Sequence, residues 1–138
     1  MGIRQYEDQD YDAIIELFSS CFDYPAPHNN PHLSIQRKTM MGDGLFFVSQ
    51  TGKRISGAVM AGWDGHRGWI YSLAVLPEFR GRGIGGALVD HTVTELEKRD
   101  CPKVNLQVLP GNHQVIGFYE KHGFQVEERI SMGRCLYN

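Results

Sequence analysis

The sequence predicts an α/β domain built on a mixed sheet. Three observations carry that expectation. Two apolar runs flank a turn at 51–54, a glycine-rich turn at 80–86 feeds a strongly amphipathic helical pattern, and a second strand-then-helix unit follows it. The 138 residues fit one domain of ordinary size, 1–138, with no repeat, low-complexity tract or linker.

The elements follow in order. Residues 2–6, "GIRQY", alternate as a short strand. Asp8 or Asp10 can then cap a helix carrying Ile14, Ile15, Leu17 and Phe18 and ending near Phe22. "DYPAPHNNP" (23–31) holds three prolines and two asparagines and reads as a loop. A second helix covers 32–41 and stops at Gly42. "LFFVSQ" (45–50), the turn "TGKR" and "ISGAVMAGW" (55–63) form a hairpin. The turn "DGHRG" (64–68) leads into a buried-looking strand, "WIYSLAV" (69–75). After the glycine turn, Gly85, Leu88, Val89, Thr92, Val93 and Leu96 mark one face of a helix. "KVNLQVL" (103–109) is the next strand, and 112–123 a helix closed by Gly123. A final strand pair is expected within 124–137.

Composition bounds the partners. Hydrophobic residues make up 41% and charged residues 22% of the chain, as in a soluble globular protein. The formal net charge of −2 supplies no global field for nucleic acid or anionic lipid, so neither is an expected partner. No apolar stretch approaches the ~18 residues of a membrane span. The start "MGIRQYEDQD" has acids where a signal peptide would be apolar. Cys21, Cys101 and Cys135 form neither a metal pattern nor a disulfide framework, so the expected compartment is the cytoplasm.

"RGRGIGG" (80–86) is costly at a helix start, since each glycine in a helix gives up roughly 0.5–1 kcal/mol against alanine. Bare amides at a helix N-terminus make an anion site, and Arg80 and Arg82 add charge at its rim. A phosphate or pyrophosphate ligand accounts for the segment. A P-loop fails, because Ala87 and Leu88 follow Gly86 where Lys-Ser/Thr is needed. Gly81, Gly83 and Gly86 satisfy G-x-G-x-x-G literally, but the following strand ends without the acid that would hold a ribose.

"LAVLPEFRGRGIGGALV" resembles the coenzyme A-binding core of the GNAT N-acetyltransferases, whose pattern Arg/Gln-x-x-Gly-x-Gly/Ala falls here on Arg80, Gly83 and Gly85. "NLQVLPGNHQVIGFYEKHGF" is similar to that family's later strand-helix-strand. Asn112 is followed seven residues on by Tyr119, then by Gly123 and Phe124. The resemblance spans nearly the whole chain and looks most like the bacterial YpeA-like branch. It implies a GNAT fold: a mixed, mostly antiparallel sheet splayed at the cofactor site and flanked by about four helices. It also implies acetyl-CoA as cosubstrate, an amine acceptor and a possible homodimer.

By the same resemblance, Leu73, Ala74 and Val75 would pair with the pantetheine arm. The amides of Gly81, Arg82, Gly83, Ile84, Gly85 and Gly86 would hold the pyrophosphate, and a backbone amide near Val75 could stabilise the oxyanion. Asn112 would contact the pantetheine, and Tyr119 would protonate the departing thiolate. A phenol with an ordinary pKa of about 10 is protonated at neutral pH and suits that role. The general base is open. Gln107 stands five residues before Asn112, where some relatives carry glutamate. His66 is the candidate base, with Asp64, Glu78 and a water chain as alternatives; Tyr71 could orient a water or pack in the core. A non-catalytic acyl-CoA-binding or sensing module is the alternative function. His28 and His32 lie in a proline-broken loop without a third ligand, so no metal is expected. Arg37 and Lys38 read either as partners for an acidic acceptor or as a solvated helix face.

Overall fold

The computed structural model describes residues 1–23 and 30–136; His28 and most of the proline-rich loop lie outside them. The described residues fall into two compact units, Met1–Gln107 and Val108–Asn138.

The first unit holds a five-stranded sheet in the order β1 (Gly2–Gln5), β2 (Phe46–Thr51), β3 (Arg54–Trp63), β4 (Gly68–Val75) and β5 (Val104–Leu106). The first three pairings are antiparallel and the β4–β5 pairing is parallel. The mixed, mostly antiparallel sheet is therefore as expected. Its helices are α1 (Tyr11–Cys21), α2 (Pro31–Met41) and α3 (Ile84–Lys98). The second unit contains α4 (His113–Lys121).

Local chemistry sets the element ends. Asn30 caps α2, its Oδ1 accepting from the His32 and Leu33 amides at 3.0 and 3.4 Å, with Pro31 in the first turn. Gly42 closes α2 in the left-handed region at φ 60°. Ahead of α1, Asp10 Oδ2 accepts from the Glu7 amide at 2.9 Å, and both of its carboxylate oxygens take the Arg4 guanidinium at 2.8 and 2.9 Å.

Strand alternation divides the core between the two faces. Ile14, Leu17, Phe18 and Ile35 of α1 and α2 pack on Phe46, Val48, Ala58, Met60 and Ala74. On the other face α3 lies against β2, β3 and β4, burying Leu88, Val89, Thr92 and Leu96.

Two differences from the sequence expectation bear on function. The strand expected over 103–109 pairs only at Val104–Leu106, because β4 and β5 share hydrogen bonds only from Gly68 to Ile70. The expected pair within 124–137 does not form among the described residues, which carry no helix or strand from 124 to 136. Apolar alternation is present there, yet Val126, Ile130, Met132 and Leu136 are exposed, and alternation without a ladder of paired backbone groups makes no strand.

Candidate active site

The glycine turn is built as a helix N-terminus left bare. After Val75 the Leu76 amide donates to the Ser56 carbonyl at 2.9 Å, and a single turn of 3₁₀-helix, Pro77–Phe79, leads to Arg80. Gly81 and Gly83 adopt φ 79° and 80°, where a side chain would strain the backbone. Gly83 is the N-cap of α3 and no side chain caps the helix. The Ala87 amide is the first to bond within it, to the Gly83 carbonyl at 3.0 Å. The amides of Ile84, Gly85 and Gly86 are thus without intrahelical acceptors. A Cβ added at Gly81 or Gly83 would meet nothing within 4 Å. These glycines supply backbone angle beneath open space, which fits a phosphate-bearing ligand approaching the amides.

The two arginines of the turn behave differently. Arg80 turns back: its Nε donates to the Val75 carbonyl at 3.0 Å and Nη2 lies 3.4 Å from Cys21 Sγ, while Nη1 has no partner among the described residues. Arg82 lies over the buried Phe79 ring at 5.1 Å, and Arg54 of β3 also lies over that ring at 5.2 Å. Arg54 is paired with Glu78 at 2.6 Å, whereas Arg82 has no carboxylate partner among the described residues.

The open edge beside this turn comes from β4. Val75, Ala74 and Leu73 pair with Gly57, Ala58 and Val59 of β3, but β5 has already left β4 at Ile70. Gly57 lets the two strands close, since a Cβ there would stand 2.9 Å from the Ala74 carbonyl and 3.1 Å from Leu88 Cδ1. The ladder shifts register between Met60 and Ala61, whose partners are Ser72 and Ile70, so Tyr71 is the extra residue of a β-bulge. Contrary to the core-packing alternative, Tyr71 is exposed.

In the second unit, Asn112 is the N-cap of α4, its Oδ1 accepting from the Val115 amide at 3.3 Å. That leaves its side-chain amide to donate elsewhere. Tyr119 is half-buried between the Phe118 and Phe124 rings, with centroids 5.0 and 5.5 Å away. Burial pushes its phenol up to about 12. Gly123, at φ 90°, ends the helix as expected.

The candidate bases are sorted by their partners. Glu78 is held by Arg54, and Asp64 Oδ1 accepts from the His66 and Arg67 amides at 2.7 and 2.8 Å. The exposed His66 imidazole makes no hydrogen bond among the described residues, and it precedes β4 whereas Val75 ends it, so the structure does not bring the two together. Lys38 is neither a solvated face residue nor free for an acidic acceptor, because its half-buried side chain is paired with Asp43 at 2.7 Å. His32 Nδ1 lies 2.6 Å from the Tyr11 hydroxyl. No group of three or more His, Cys, Asp or Glu that could hold a metal ion occurs among the described residues. No described helix is long and apolar enough to cross a membrane.

A helix N-terminus of uncapped amides beside a strand edge abandoned by its neighbour agrees with the comparison of sequences. The profile of the "Acetyltransferase (GNAT) family" matches residues 11–124. The chain belongs to the GNAT family of acetyltransferases. Acetyltransferase ECA0875 of Pectobacterium atrosepticum is 42% identical over 136 residues, 99% of this chain and 96% of that protein. Acetyltransferase YE1169 of Yersinia enterocolitica is 40% identical over the same coverage. Among solved structures, the PaiA N-acetyltransferase of Thermoplasma acidophilum, determined in complex with coenzyme A, superposes with a TM-score of 0.79 at 17% identity, over 94% of this chain and 92% of that one.

This GNAT acetyltransferase contains features the sequence reading missed. Arg54, at the start of β3 about 25 residues upstream, reaches over the Phe79 ring beside the glycine turn and pairs with Glu78. Cys21 meets Arg80 across 59 positions. Only Gly62 left a sequence signal, a second glycine within an apolar strand, which commonly marks a bulge or a close approach.

Proposed function

We propose that the chain transfers an acetyl group from acetyl-CoA to a primary amine of a small molecule or peptide by direct attack. The observation that carries this reading is the junction of the uncapped α3 amides with the unpaired edge of β4. The pyrophosphate would be held by the amides from Gly81 to Gly86, with Arg82 and the unpaired Nη1 of Arg80 beside it. The pantetheine would run along Val75, Ala74 and Leu73, using the backbone groups that β5 does not take, with Asn112 donating to it. This directs the thioester toward the point where β4 and β5 part.

The amine attacks the thioester carbonyl, a backbone N–H of the β4 edge where β5 leaves it stabilises the oxyanion, and the C–S bond then breaks. Tyr119 is the general acid that protonates the departing sulfur. Its phenol, pushed up to about 12 by burial, is in the protonated form at every physiological pH, so a proton is present to give. The amine's proton is carried off by water, since Glu78 and Asp64 are engaged, Gln107 carries no base and His66 is not brought to the reacting edge.

The two units act as one catalytic domain in this reading, which the family match across residues 11–124 supports. The place in the YpeA-like branch rests on the sequence motifs of 64–83 alone. Calorimetric titration with acetyl-CoA and NAD, paired with a thiol assay of CoA release over a panel of amines, tests the proposal. Amine-dependent CoA release is expected. Preferential binding of NAD would overturn it.

A further inference from the structure

At the point where β5 leaves the sheet stands an aromatic side chain that the core does not use. Tyr71 is the first β4 residue beyond the shared ladder and is the extra residue of the bulge. It is 61% exposed, although it lies on a central strand. Its direction follows from Gly62: a Cβ on Gly62 would lie 2.9 Å from Tyr71 Cε2 and 3.0 Å from its hydroxyl. Met60 faces the α1–α2 core, and Gly62, two residues on, shares that face. The bulge therefore turns Tyr71 onto the α1–α2 side, and Gly62 vacates the space its ring lies across.

Two carboxylates, Asp64 and Asp43, act electrostatically on the ring. Asp64, two residues beyond Gly62, uses Oδ1 for two turn amides, while Oδ2 has no partner among the described residues. Those amides hold its carboxyl below the usual range, so it stays ionised. Burial first, and then the charges of Asp64 and Asp43, raise the Tyr71 phenol above its ordinary value. Lys38 is paired with Asp43 at 2.7 Å, whereas Asp64 is in no ion pair among the described residues; Arg67 Nη1 donates to the His66 carbonyl at 2.9 Å.

We propose that Tyr71, seated on Gly62 and backed by Asp64, is a specificity-determining residue that holds a second cationic group of the acceptor, which makes the preferred acceptor class diamines and other multiply charged amines. The inference rests on the acetyl-transfer reading above. One amine reaches the thioester along the open β4 edge, while an ammonium elsewhere in the same molecule rests on the Tyr71 ring. An aromatic face attracts a cation within about 6 Å of its centroid, and a nearby carboxylate strengthens the hold.

The test compares an aliphatic α,ω-diamine with the monoamine of equal chain length, using acetyl-CoA and the full chain. The wild type should favour the diamine about tenfold in kcat/KM. Tyr71→Leu should abolish that preference and Asp64→Asn should weaken it, with monoamine turnover and the acetyl-CoA KM unchanged. Tyr71→Phe should retain it, because the ring and not the hydroxyl carries the attraction. Gly62→Val, which displaces the ring without removing it, should behave like Tyr71→Leu; Tyr71 variants keep the test secure if that chain does not fold. Equal use of both amines by the wild type, or a preference that survives Tyr71→Leu, would overturn the inference while monoamine turnover upholds acetyl transfer. Absence of turnover with either amine would overturn both.

Discussion

The Arg80 guanidinium closes back on its own chain, its Nε donating to the Val75 carbonyl at 3.0 Å. Its Nη2 reaches Cys21 Sγ at 3.4 Å, so one side chain ties the ends of β4 and α1 to the turn that opens α3. Removing it frees all three. Arg80→Ala should raise the acetyl-CoA KM about tenfold, consistent with roughly 1–2 kcal/mol for a charged hydrogen bond, and change the acceptor KM far less. Lysine lacks the planar fork that serves two partners, so Arg80→Lys should recover little of the loss. Steady-state kinetics varying each substrate in turn would show the split.

Gly83 makes a second, sharper case. At φ 80° a β-branched residue is strained by about 1–2 kcal/mol, and its side chain would occupy the open space at the start of α3. Gly83→Val should therefore lower the thermal midpoint modestly and raise the acetyl-CoA KM far more than the acceptor KM. Equal effects on both substrates would mean general destabilisation instead.

The Arg4–Asp10 pair anchors β1 to the start of α1 and gives the fold a dependence on acid. Hydrogen bonding from Arg4, above all, holds the buried Asp10 carboxyl below its usual range. A depressed carboxylate stabilises fully above its unfolded pKa of about 3.9, and this is lost as pH falls through the folded value. Asp10→Asn should cost about 1–3 kcal/mol at pH 7, and the difference from wild type should shrink below pH 4. Denaturant unfolding at pH 7 and pH 3 would measure both.

Tyr119 should leave its mark on the alkaline side of the rate profile. With its phenol at about 12, the acid keeps its proton well past pH 10, where an unperturbed tyrosine is half ionised. The kcat with a saturating amine should hold level from pH 8 to pH 10 and not fall by half at the upper end.

Much of this molecule was legible in its residues because the signals were local. The glycines of 80–86 declared a helix start with special backbone angles, and Gly81 and Gly83 have them. The amphipathic face through Leu88, Thr92 and Leu96 named the buried side of α3 correctly. The bulge at Tyr71 was illegible, because it depends on how β3 and β4 register, and so a residue read as packed or water-orienting proved exposed. The Arg54 side of the Phe79 stack was illegible for the same reason, since Arg54 reaches the ring from the start of β3 while Arg82 is three residues from it. The 124–137 segment failed in the other direction: alternation alone could not supply a partner strand.

Acetyl transfer with Tyr119 as the acid is most directly tested by CoA release from Tyr119→Phe beside the wild type, with acetyl-CoA affinity measured on both. The account predicts unchanged acetyl-CoA binding and a kcat reduced about 10²-fold or more, the usual scale for losing a general acid. A wild type that binds acetyl-CoA tightly but releases no CoA with any amine, together with a Tyr119→Phe variant indistinguishable from it, would contradict the account.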